Sequence, residues 1–91
     1  MGQSAQAKRY AAVQNALEHD ASGYARLWDD PGEAAHGSVL PLATVRSAAY
    51  GWCRDYEERI SASTRQYHLV GVACRSGPGW LVLDLRSLTG A

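Results

Sequence analysis

The chain has 91 residues, with nine basic and nine acidic side chains and a formal net charge of zero. A single domain of that length buries only about 60–65% of its unfolded surface, so a disulfide, a metal or a partner is a usual aid to its stability. An even charge balance argues against a nucleic-acid face, and no run of about 18 apolar residues offers a membrane-spanning helix.

Residues 4–28 read as a helix. Tyr10, Val13, Leu17, Tyr24 and Leu27 form one stripe at steps of three, four and seven. Alanines at 5, 7, 11, 12 and 16 raise the propensity, and Asp20-Ala21-Ser22-Gly23 marks a possible kink. Asp29-Asp30-Pro31-Gly32 ends this helix, because Pro cannot continue the ladder and Pro-Gly suits a turn. A loop runs over 31–40. A second helix is expected from Pro41, with Leu42, Val45, Ala49, Trp52, Tyr56 and Ile60 on its core side. Arg54/Glu58 and Asp55/Arg59 would pair at spacing four along it. Ser61-Ala62-Ser63-Thr64 closes it.

A β-hairpin follows. Its arms are Tyr67–Cys74 and Trp80–Arg86, and its turn is Ser76-Gly77-Pro78-Gly79. Both arms are apolar on both faces, whereas a strand with one wet face alternates. Strand parity separates Leu81, Leu83 and Leu85 from Trp80, Val82, Asp84 and Arg86. If the leucines face the helices, Trp80 and Val82 look outward. An isolated pair of strands is marginal, so a two-fold dimer is the natural completion.

The fold class expected is therefore α+β over a single domain, 1–91: two antiparallel helices, then a C-terminal β-hairpin, with the sheet extended or covered by dimerisation. Charge differs little between the halves. Residues 1–40 carry three bases against five acids, and residues 41–91 six against four, which suggests contact between the halves rather than a polyanion partner.

Three constellations bear on chemistry. The segment Asp29-Asp30-Pro31-Gly32-Glu33-Ala34-Ala35-His36 gathers three carboxylates and an imidazole. It lacks the alternating ligands of a calcium loop, and Asx turns explain it more simply than a metal does. Cys53, Cys74 and His68 lack a fourth ligand for zinc. His68 and Cys74 lie roughly 20 Å apart along one strand, too far for a dyad. Arg46, Arg54 and Arg75 would serve a helix-plus-wing DNA reader, but Asp55, Glu57 and Glu58 oppose it. With no basic start leading into an apolar run, cytoplasmic residence is expected, and both thiols are expected reduced. One Lys, eight Arg and many Ala suggest a high-GC bacterial or phage genome.

Five Tyr and three Trp with no Phe favour an interface composition. The resulting expectation is a non-enzymatic protein-interaction module of inhibitor, immunity, adaptor or regulatory type, homodimeric or bound to another protein. Trp80, Val82, Val70, Val72 and Trp28 are its expected partner-binding residues. No cofactor, metal, membrane or nucleic-acid partner is expected. A small DNA-binding regulator and a small enzyme using Asp30, Glu33, His36 or Cys53 are the alternatives.

Overall fold

The computed structural model describes residues 1–88. One helix, α1 (Gln3–His19), is followed by five strands: β1 (Arg26–Asp30), β2 (Ala35–Ser47), β3 (Gly51–Ala62), β4 (Arg65–Ser76) and β5 (Gly79–Ser87), with a single 3₁₀ turn at Pro31–Glu33 between β1 and β2. The strands form one antiparallel sheet in the order β1-β2-β3-β4-β5. The helix lies across one face of it.

The first helix therefore ends earlier than its stripe implied, and its buried face is rotated. Ala5, Ala12, Val13, Ala16 and Leu17 are buried, whereas Tyr10 is exposed. Three of these five are alanines, which lets the helix axis approach the sheet closely. The chain then turns at Gly23, whose positive φ of 91° suits a residue without Cβ. Asp20 and Arg26 close this turn with a bidentate ion pair of 2.8 Å per bond.

The expected second helix does not exist; residues 41–60 belong to β2 and β3. The period-2 set Arg54, Tyr56, Glu58 and Ile60 is buried against α1, and Asp55, Glu57 and Arg59 alternate with it. Two of the inward residues are charged, so the alternation does not read as hydrophobic. The spacing-four ion pairs are replaced: Glu58 reaches Arg9 of α1, and Arg59 pairs with Glu57 on its own face.

The C-terminal hairpin is present as β4 and β5, the last two of five strands rather than an isolated pair. Its two-residue turn, Gly77-Pro78, has Gly77 at φ 57°, the position where a tight hairpin needs glycine. The leucine face does not survive. The register steps between Val72 and Ala73, which pair with Asp84 and Val82, so Leu83 is the extra residue of a bulge. Trp80, Val82 and Leu85 thus share the helix side, and Leu81, Asp84 and Arg86 share the opposite side.

Cys53 and Cys74 are opposite one another on β3 and β4, and they form a disulfide. This corrects the expectation of two free thiols. It also removes Cys53 as a nucleophile.

Candidate functional site

Charged groups fix α1 to the sheet at its two ends and its middle. At its N-terminus the Asp30 carboxylate accepts from Ser4 Oγ at 2.5 Å and from the Glu33 N–H at 3.2 Å, with Lys8 Nζ 3.7 Å away. The Glu33 carboxylate accepts the Ser4 N–H at 3.0 Å. Ser4, then Lys8, hold the Asp30 carboxyl below the usual carboxylate value against its burial. In the middle, Arg9 donates to both oxygens of Glu58 at 2.9 and 2.8 Å, and Glu58 is 0% exposed. At the C-terminus the Arg54 guanidinium donates to Leu17 O at 2.8 Å and to Thr44 Oγ1 at 2.9 Å. Acids at the amino end and a cation at the carboxyl end match the helix dipole.

These clamps settle much of the earlier chemistry. Asp30 and Glu33 serve the helix start, and Asp29 pairs with His36 in the β1–β2 register. Among the described residues, no group of three His, Cys, Asp or Glu has a metal-holding arrangement. His68 Nε2 lies 2.7 Å from Glu57 Oε1. The three arginines of the DNA-reading alternative do not converge. Arg54 is buried under α1, Arg75 pairs with Glu18, and Arg46 stacks 5.3 Å over Trp52.

One side of α1 is left open towards β5. A groove of about 400 Å³ runs between them, lined by Tyr10, Val13 and Gln14 on the helix and Trp80, Val82 and Leu85 on the strand, with Tyr56 and the Arg9–Glu58 pair beside them. Its closed end is pinned. Gln14 donates to Trp80 O and accepts from Trp80 N, both at 2.8 Å. The Arg75 guanidinium sits 5.6 Å over the Trp80 ring and also pairs with Glu18. Beyond Trp80 the strand is open: Val82 is 39% and Leu85 41% exposed. Leu81, Leu83 and Leu88 are exposed as well.

Burial, followed by the nearby Glu58 carboxylate, pushes the Tyr56 phenol up to about 12. It therefore stays neutral at physiological pH. With Glu58 held in a bidentate pair by Arg9, the groove presents apolar contact area beside that ion pair.

The expected partner-binding residues do not form one surface. Trp80 and Val82 line the groove. Val70 and Val72 lie on the opposite face, beside Leu42 and Arg86. Trp28 is only 7% exposed, with its indole against Gly37, where an added Cβ would come within 2.7 Å of Nε1. Sequence reasoning missed Tyr10, Gln14 and Leu85. Only the bulge, which no residue pattern announces, brings Leu85 to the side of Val82.

The chain is similar to the 17 kDa surface antigen of Rickettsia felis, at 34% identity over 86 residues, 91% of this chain and 54% of that protein. It is 36% identical over 72 residues to the 17 kDa surface antigen of Rickettsia prowazekii, covering 78% of this chain and 45% of that protein. The Rickettsia conorii protein of the same name is 33% identical over 86 residues, 91% of this chain and 54% of its own length. The chain thus spans about half the length of these curated relatives. No protein-family model matches it, and no solved structure does. Relatives named surface antigens overturn the expectation of a cytoplasmic, phage or regulatory protein. The Cys53–Cys74 bridge agrees with that correction, since such bonds persist in oxidising compartments.

Proposed function

We propose that this chain is a non-enzymatic, protein-binding domain of a bacterial surface protein, and that it binds through the groove and open strand between α1 and β5. The observation that carries this reading is the apolar run of β5, exposed at an edge of the sheet beside the groove. Soluble domains usually blunt such edges with charge, shortness or cover. The other edge, β1, is five residues long and carries Arg26, Asp29 and Asp30. Placement at the cell surface is supported by the names of the relatives and by the disulfide.

Intact cells test it. A membrane-impermeant label should reach the chain, and Cys53 and Cys74 should resist alkylation until reduced. A photoreactive side chain replacing Tyr10, in the groove, should crosslink to protein. A chain shielded in intact cells, alkylated without reduction and uncrosslinked at this position would contradict the reading.

A further inference from the structure

We propose that the occupant of the β5 edge is the β5 edge of a second copy, paired antiparallel about Leu85 to make a continuous ten-stranded sheet. The proposal rests on the reading of β5 as a binding edge and adds the partner and the register.

Backbone direction comes first. Leu88 N donates to His68 O at 2.7 Å, and Leu69 is the register partner of Ser87. An antiparallel ladder alternates inward and outward residues, so Asp84 and Arg86 bond inward to β4 and Leu85 points its N–H and C=O outward. Among the described residues β5 has one strand neighbour, β4. A two-fold axis at Leu85 lets the two Leu85 residues exchange both backbone hydrogen bonds.

Charge then selects this register over its neighbours. Centring on Leu85 sets Asp84 of each copy opposite Arg86 of the other. These are non-hydrogen-bonded positions, where side chains approach most closely. Centring on Asp84 or on Arg86 would oppose like charges. Within one chain Arg86 Nε already lies 3.0 Å from Asp84 Oδ2, and both side chains are more than half exposed. Pairing would join the two into a four-charge network. On the other face the Leu85 side chains of the two copies would meet, placing the apolar Leu85 ends of the two grooves side by side.

Sedimentation equilibrium of the oxidised protein, with its charge variants, tests this. Wild type should be a dimer that dissociates on dilution. Asp84→Arg and Arg86→Asp should each weaken it by about tenfold or more, and the double exchange should restore it. Leu85→Pro should abolish the dimer while keeping the wild-type circular dichroism, because proline is tolerated where an edge N–H faces solvent. A monomer at every concentration, or a dimer indifferent to these charges or unrescued by the exchange, would overturn the proposal. If crosslinks from Tyr10 on cells nevertheless led to another protein, the binding reading would stand and only self-pairing would fall.

Discussion

Glu58 lies wholly buried on the sheet face that packs against the helix, and among the described residues its carboxylate is paired with Arg9. Removing one partner of such a pair strands the other charge. Arg9→Met should therefore destabilise the fold by about 3 kcal/mol, whereas Arg9→Met with Glu58→Met should recover most of the loss. Urea denaturation of the two variants and wild type checks this, and an Arg9→Met midpoint equal to wild type would refute it. Asp30 makes a pH prediction. Its carboxyl is held below the ordinary value chiefly by Ser4, so the folded state favours the ionised form. The stabilisation is complete above the unfolded value of about 4 and is lost as pH falls through the lower folded value. Asp30→Asn should lower the neutral plateau of a stability-against-pH curve and flatten its acid limb, so that variant and wild type converge as pH falls. Glu58 and Arg54 also give β3 its helix-like sequence. They sit at inward positions that a hydrophobic pattern assigns to solvent, so the period of 2 is masked by an apparent period of 3.6.

At the scale of elements, β3 and β4 are joined by contacts of two kinds. Tyr56 lies over Gly71 so closely that a Cβ there would come within 2.6 Å of its ring. Gly71→Ala should cost about 1–3 kcal/mol through overpacking. Thermal unfolding followed by near-ultraviolet circular dichroism reads both the loss and any displacement of the tyrosine. The Cys53–Cys74 bridge spans 21 residues of sequence. Replacing both cysteines with serine should lower stability by about 2–4 kcal/mol. An equal denaturation midpoint in the oxidised and reduced wild type would contradict a structural role for the bond. The hairpin of β4 and β5 was legible because Gly77-Pro78 announces a tight turn between apolar runs. The turn at 48–50 is followed by one glycine, Gly51 at φ 79°, without a proline beside it, and in the turn at 63–64 Ser63 adopts its φ of 58° without glycine. Helix α1 was legible from its alanines, but its orientation was not, because the charged, half-buried Arg9 lies on its inward face.

At the scale of the molecule, the sheet ends differently on its two sides. The β1 edge is short and charged, and β5 is long and leucine-rich. An excess of apolar surface in the C-terminal hairpin was visible in the sequence. Its location at one edge was not, since that depends on three further strands filling the sheet. The central claim is that the outer edge of β5 is where this domain meets protein. Amide hydrogen exchange at Leu85 measures it most directly, because that N–H points away from β4. The account predicts fast exchange in dilute protein and marked slowing as concentration rises or a partner is added, while the inward amides of Asp84 and Arg86 stay protected throughout. A Leu85 amide that exchanges at the same rate at every concentration, with or without partner, would contradict it.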